Sequence, residues 1–314
     1  MEALRTHVAG VDVHKAKLAI TVLRGPADAK PEEYQFECET FTEDLIKGGQ
    51  KLLDMGIREV AMESTGIYWK PIHNVWSPMG INLTVAQAAH VKNVPGRKTD
   101  MNDSQWLASL HRHGLIRASL IPADSFQSIR MLTRHRKNLV GDFARVKNRI
   151  QKILEDGNVK WGTIVSDVFG KSGLKILALI AKGIIDAPTL ALEVTTNIRR
   201  KKDVHKALTN CLTKIHVFTI KELMSQYNDL EKRIADTDKR LVELVAPYRH
   251  LVDALKKIPG IDEVLAMGIL AESTDDMGHF ANERHYAAWA GVAAGNNESA
   301  GKKKDQNVGR AIHI

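Results

Sequence analysis

The apolar residues of this chain change their spacing once, near residue 125, and that change limits what the chain can fold into more than any other feature. Before it, short β-branched runs alternate with helical stretches. After it the strand signal disappears, and apolar residues recur at threes, fours and sevens.

In the first part, His7 to Val13 and Lys17 to Leu23 are two β-branched runs separated by the polar His14-Lys15, the layout of a hairpin. Tyr34 to Phe41 alternates apolar and polar residues as a half-exposed strand does. Leu45, Ile46, Leu52, Leu53 and Met55 form a helical stripe that Gly56 can terminate. Glu59 to Met62 reads as a strand, Tyr68 to Met79 as a helix, Ile81 to Val85 as a strand and Asn102 to His113 as a helix. The order βββαβαβα implies an α/β domain with a mixed sheet and helices on its faces.

In the second part, Ile129, Leu132, Leu139, Phe143, Val146, Ile150, Ile153 and Leu154 describe one amphipathic helix of about 30 residues. Ile220 to Val245 keeps near-heptad spacing, and the two helices together read as an arm or antiparallel coiled coil. Between them lies a less regular helical stretch, Ile164 to Phe218, broken at Gly173, Gly183 and Pro188. The last segment opens on Ile258-Pro259-Gly260-Ile261, which resembles a helix-hairpin-helix turn, where backbone amides can approach a phosphate. Three domains are expected: 1–124, an arm over 125–250, and a small, mainly α unit over 251–314.

With 44% hydrophobic and 26% charged residues, the chain is not disordered. Cys38 and Cys211 form no framework or CxxC pair, so a reducing, cytoplasmic setting is expected. The most apolar stretch, Leu174 to Leu192, holds Lys175, Lys182 and Asp186 and is too polar to span a bilayer, and the N-terminus shows no signal-peptide run. No membrane association is expected. The net charge of +8 is concentrated: Arg112 to Lys152 holds ten Lys/Arg and two acids, an excess equal to that of the whole chain. Cations in that number cannot all be paired within one helix, which points to a polyanionic partner. For Arg199-Arg200-Lys201-Lys202, a solvated face and a nucleic-acid contact are equally good readings. His111, His113, His279 and His285 read as surface or core-edge residues, and Trp69, Trp76 and Trp106 as core.

Four acids stand out. Asp12 interrupts the apolar strand Val8 to Val13, and Glu63 closes the strand Val60-Ala61-Met62. Asp100 and Asp103, three apart, share a face at a helix start. Each alone has an ordinary structural explanation: a turn residue, a loop acid, a helix cap. Converging at one sheet edge, four hard oxygen ligands suit Mg²⁺ or Mn²⁺, and two such ions about 4 Å apart serve in-line attack on a phosphodiester.

Gly10-Val11-Asp12-Val13-His14-Lys15, Met62-Glu63-Ser64-Thr65-Gly66-Ile67-Tyr68-Trp69, Gly96-Arg97-Lys98-Thr99-Asp100-Met101-Asn102-Asp103-Ser104-Gln105-Trp106-Leu107-Ala108 and Leu132-Thr133-Arg134-His135-Arg136 resemble the successive motifs of the DEDD insertion-sequence transposases. Ile258-Pro259-Gly260-Ile261 and Gly295 to Lys302 match that family's C-terminal motifs in order. The resemblance spans nearly the whole chain. It implies an RNase H-like (RuvC-like) N-terminal domain, a coiled-coil arm and a serine-bearing C-terminal domain. It makes Asp12, Glu63, Asp100 and Asp103 the metal-binding catalytic tetrad and Ser299 the nucleophile that joins a DNA phosphate. It further implies DNA as substrate, a guide (bridge) RNA, and a homo-oligomer, dimer or tetramer, in which the serine meets a metal site of another subunit.

Small neighbours Ala300 and Gly301 would leave the Ser299 hydroxyl accessible, and Lys302, Lys303 and Lys304 supply charge for a phosphate backbone. Further nucleic-acid contacts are expected from Arg130, Arg134, Arg136, Lys137, Arg145, Lys147 and Arg149. Family members usually continue past the Lys302-to-Arg310 stretch into a basic helix, whereas this chain ends at Ile314, so a shortened serine domain is expected. Two other functions stay open on the residues alone: a non-catalytic or decayed nucleic-acid-binding protein, and a RuvC-like nuclease that uses water in place of Ser299.

Overall fold

A computed structural model describes residues 3–63, 66–86, 102–116, 118–194 and 200–292, together with the backbone of 298–299 and 302–303. The chain divides into two compact units, Met1–Ile121 and Pro122–Ile314. Among the described residues no helix is long and apolar enough to cross a membrane.

The first unit holds β1 (His7–Val13), β2 (Lys17–Arg24), β3 (Glu32–Glu39), α1 (Thr42–Asp54), β4 (Glu59–Glu63), α2 (Trp69–Trp76), β5 (Asn82–Ala86) and α3 (Asp103–Arg112). Its five-stranded sheet runs in the order β3-β2-β1-β4-β5. The β1/β2 and β2/β3 pairs are antiparallel, and β1/β4 and β4/β5 are parallel. A meander on one side of β1 and crossover units on the other make a mixed sheet, the arrangement of an RNase H-like domain.

Alternation along β1 sends its two sets of side chains to different partners. Val11 and Val13 join Leu18, Ile20, Leu45, Leu52, Met62, Ile72 and Trp76 in the core under α1 and α2. Val8 packs with Leu23 and with Ala108 of α3. Gly10 and Asp12 therefore share the face that carries α3. At Gly10 the helix comes so near that a Cβ would lie 2.2 Å from the Ser104 carbonyl oxygen and 2.3 Å from the Ala108 nitrogen. Beside it, the buried hydroxyls of Thr21 and Ser104 are 2.8 Å apart.

Strand β3 lies two residues earlier than the spacing predicts, because Phe41 is already the N-cap residue of α1 and its carbonyl accepts from Leu45 N. Trp76 is fully buried and donates its indole N–H to the Leu45 carbonyl at 2.7 Å, and Trp106 is buried as well. His111, expected at the surface or the core edge, is instead 2% exposed. Its Nε2 has no hydrogen-bond partner among the described residues and lies 3.8 Å from Glu59 Oε2.

Burial first, and then the Arg5 guanidinium, push the His111 imidazole down to about 4, with Glu59 opposing. The folded chain holds it neutral, while the unfolded chain protonates it near its ordinary 6.5. Protons are thus taken up on unfolding between these two values, so this contribution to stability is complete above the upper one and is lost as pH falls toward the lower. Urea unfolding at a series of pH values should show that decline, and His111→Gln should flatten it.

The second unit is helical: α4 (Asp124–Asp156), α5 (Lys171–Ala181), α6 (Ala187–Leu192), α7 (Val204–Leu208), α8 (Lys214–Val245), α9 (Arg249–Leu255), α10 (Glu263–Ser273) and α11 (Glu283–Trp289), with the two-residue strands β6 (Glu298–Ser299) and β7 (Lys302–Lys303). Helices α4 and α8, of 33 and 32 residues, lie antiparallel. Phe126 and Ile129 meet Leu241 and Val245, together with Met267 and Leu270 of α10. At the other end, Val146, Ile150 and Leu154 meet Ile220, Leu223 and Tyr227, joined by Ile176, Ile180, Leu190 and Leu208 from α5 to α7.

Helix α8 begins six residues before the periodic stretch. Ile215 and Phe218 are exposed there and leave no apolar stripe to read, while a capping box of Thr213 and His216 starts the helix. Gly173 does not break the chain. It sits inside α5, where a Cβ would lie 1.8 Å from the Val168 carbonyl oxygen, so its role is close packing. Gly183, at φ +88°, does end that helix, and Pro188 lies in the first turn of α6 behind the Asp186 cap.

Candidate active site

Asp12 lies one residue beyond Val11, which pairs with Met62 on the neighbouring parallel strand, and Glu63 lies one residue beyond Met62. The register thus carries the two acids out of the sheet side by side, at the carboxyl ends of β1 and β4. Both stand on the face covered by α3, because Gly10 and Ala61 are paired two positions earlier.

Helix α3 brings the third acid. Its first residue is Asp103, adjacent to the Ser104 whose carbonyl rests on Gly10, so the first turn of α3 is held over the end of β1. Asn102 caps this turn, accepting from Gln105 N at 2.7 Å. Its side chain also accepts from the Ser104 hydroxyl at 3.0 Å, which ties the cap to the Thr21–Ser104 contact. Asp100 lies outside the described residues.

Asp12 and Glu63 are half-buried and Asp103 is exposed. Among the described residues no three His, Cys, Asp or Glu side chains are grouped as ligands of one ion. The donor set nevertheless fits a hard divalent cation: carboxylates from two adjacent strand ends and a helix start, all oxygen. His14 is the neighbour that sequence reasoning did not assign to the site. Its Nε2 is 3.0 Å from Asp12 Oδ2, and the signal for it is its place two residues after Asp12 on the same side of the chain.

Ser299 belongs to the second unit. It does not lie in an open loop: β6 and β7 pair antiparallel, with Glu298 opposite Lys303 and Ser299 opposite Lys302. The serine is thus at a paired backbone position directly across from a lysine. Lys304 lies outside the described residues. The Pro259-Gly260 turn forms as expected, with Gly260 at φ +88° and Ile261 N donating to the Ile258 carbonyl at 3.1 Å. Asp262 already caps the helix that follows, and Arg249 and Lys256 bind Glu263, holding its carboxyl down to about 2. Lys257 is the exposed cation left beside the turn.

The basic face of α4 is more internally paired than its sequence implies. Glu272 of α10, 4% exposed, receives Arg130 at 3.0 Å and Arg134 through two bonds of 2.8 and 2.9 Å. Arg130 also donates to the Ala271 and Glu272 carbonyls. Arg136 pairs with Asp238 of α8, and Arg145 with Asp142. The partner acids for Arg130, Arg134 and Arg136 lie 102 to 142 residues away, beyond any local count of charge. Lys147 lies over the Phe169 ring at 4.7 Å, Lys137 is exposed, and Arg149 and Lys152 are exposed with no ion-pair partner among the described residues.

Removing one member of such a buried group strands the others. Glu272→Ala is expected to lower the unfolding free energy by about 3 kcal/mol, the lower end of the range for breaking a buried pair because Arg134 can turn to water. A urea midpoint that does not move would show that the pair contributes nothing.

Two family models match successive parts of the chain. Residues 9–158 match the DEDD transposase model of the IS110 type, described as a transposase. Residues 252–311 match the model described as the transposase IS116/IS110/IS902 family. A transposase for insertion sequence element IS1533 from Leptospira borgpetersenii is 24% identical over 272 residues, covering 85% of this chain and 69% of its own length. Among solved structures, RuvC of T. thermophilus in complex with a Holliday junction substrate aligns with 37% of this chain and 100% of its own, at 13% identity and a TM-score of 0.28. A second Thermus thermophilus RuvC structure gives 36% and 100%, 12% identity and the same score. Two models in succession, the first over the carboxylate-bearing sheet and the start of the arm, the second over the C-terminal segment, agree on one kind of enzyme: the chain belongs to the IS110-type DEDD transposases, and is a DNA transposase.

Proposed function

We propose that this transposase cuts and rejoins DNA strands with Asp12, Glu63, Asp100 and Asp103 as ligands of divalent metal, Mg²⁺ or Mn²⁺, and Ser299 as the attacking group. The observation that carries the reading is the shared register of Asp12 and Glu63 under the first turn of α3. When bound, the ions would neutralise phosphate charge in the transition state.

In the reaction, the Ser299 hydroxyl gives up its proton and its oxygen forms a bond to phosphorus while one backbone P–O bond breaks. The departing strand leaves with a free hydroxyl. A strand hydroxyl then attacks the same phosphorus, restores a phosphodiester and releases the serine, so no outside energy source is needed. Asp12 and Ser299 belong to different compact units, which suits a site shared between subunits of a homo-oligomer, dimer or tetramer. The arm over 125–250 and the segment over 251–314 would act as separate functional parts.

Phosphate contacts are assigned to Lys137, Arg145, Lys147, Arg149, Lys302, Lys303 and Lys304, with Arg130, Arg134 and Arg136 setting the geometry of α4 through their acid partners. A structured guide RNA is the expected second ligand, in keeping with the family resemblance. Incubation with DNA carrying the element ends and Mg²⁺, followed by denaturation, should leave a covalent DNA–protein adduct. Cleavage without an adduct would favour the water-using nuclease, and binding without cleavage the non-catalytic reading.

A further inference from the structure

The segment that connects the two long helices, residues 157–213, holds nine Lys/Arg and four acids, and neither the metal site nor the serine segment uses it. It is folded rather than loose. Trp161, Phe169, Ile176, Leu177, Ile180, Leu190, Val204, Ala207 and Leu208 are buried together against α4 and α8. Its acids are already engaged: Asp203 pairs with Arg200, Glu193 pairs with Lys175, Asp186 caps α6 and Asp167 accepts from Phe169 N.

Lys160 pairs with Glu155 of α4, and five further cations are left without such partners. Lys171, Lys182, Lys201, Lys202 and Lys206 are exposed and have no ion-pair partner among the described residues. Three of them cluster around α7. That short helix turns Val204, Ala207 and Leu208 into the core, and Lys201, Lys202, His205 and Lys206 are exposed around them. Arg200 is fixed beside them by its bonds to Asp203 at 2.7 Å and to the Thr163 carbonyl at 3.4 Å.

A solvated face needs only scattered charge of both signs. Here the acids that could balance the lysines are turned to caps and local pairs, and a buried apolar base anchors the backbone that carries the lysines. We propose that the α5–α7 segment is a second nucleic-acid-binding surface, which grips a phosphate backbone through Lys201, Lys202 and Lys206. The ligand chemistry is a run of phosphodiesters, supplied by either duplex DNA or structured RNA, because lysines at this spacing offer point charges rather than base-reading geometry. Such contacts strengthen binding of any sequence and do not select one.

The test measures binding of the full chain to a duplex DNA and to a hairpin RNA of unrelated sequence over a range of salt concentrations. A variant carrying Lys201→Gln, Lys202→Gln and Lys206→Gln should bind at least one of them about tenfold more weakly, with the slope of log affinity against log salt shallower by about 2 to 3. The source of the phosphate is the ligand whose slope changes. A companion variant with Lys→Arg at the same three positions should retain affinity and slope, and matching thermal unfolding of both would show that the fold is intact. An unchanged slope on both ligands, or weaker binding at an unchanged slope, would overturn the proposal. The readout is binding alone, so failure of the metal-and-serine chemistry would leave this result standing.

Discussion

Asp12→Asn is expected to reduce strand cleavage by roughly three orders of magnitude or more, the scale of losing several kcal/mol of charge stabilisation at the reacting phosphate. The substitution keeps the shape of the side chain and removes the charge a cation needs. Asp12 lies at the end of β1 with 30% of its side chain exposed, outside the apolar core, so the fold should be kept. Nucleic-acid binding should be unchanged or slightly tighter, because a negative charge facing phosphate is gone. Cleavage and filter-binding assays on the same preparation separate the two effects. Wild-type cleavage by the variant would remove Asp12 from the active site.

Ser299→Ala is expected to abolish strand joining and any covalent adduct while leaving binding and folding in place. The position is on a two-residue strand paired with Lys302, and alanine keeps every backbone hydrogen bond of that pairing. A water-using nuclease would go on cutting. Mixing Asp12→Asn chains with Ser299→Ala chains asks the further question of whether one subunit supplies the carboxylates and another the serine. Recovery of activity in the mixture, when each variant alone is inactive, would establish a shared site. Full activity of Ser299→Ala by itself would end the serine reading.

The sheet was legible because β1 and β2 are β-branched runs on either side of a polar pair and β3 alternates, and the two long helices because their apolar stripes persist for many turns. Strand β3 was misplaced by two residues where Phe41 could serve equally as a strand end or a helix cap, a choice that the hydrogen bond from Leu45 N decides. The start of α8 was missed because exposed Ile215 and Phe218 carry no inward-facing pattern. At the site, Asp12 and Glu63 announced themselves by standing in or at the end of apolar strands, and Asp100 and Asp103 by sharing a face at a helix start. The neighbour His14 did not, since a polar residue between two strands is ordinary until its distance to Asp12 is known. Charge counting along α4 could not foresee that Glu272 and Asp238, distant in sequence, would engage Arg130, Arg134 and Arg136.

The close approach at Gly10 marks one position where a copy of this element could lose its site before its fold. A methyl group there would collide with the backbone of α3 at two points, and backbone cannot turn aside as a side chain can. The helix would have to lift, carrying Asp103 away from the ends of β1 and β4, while the separate apolar core under α1 and α2 stayed closed. If Asp103 serves as proposed, such a copy would keep its apolar core and its basic surface yet lose a carboxylate that strand cleavage needs. On the proposed reading of the site, one hydrogen atom on one strand would separate a mobile element from a resident one.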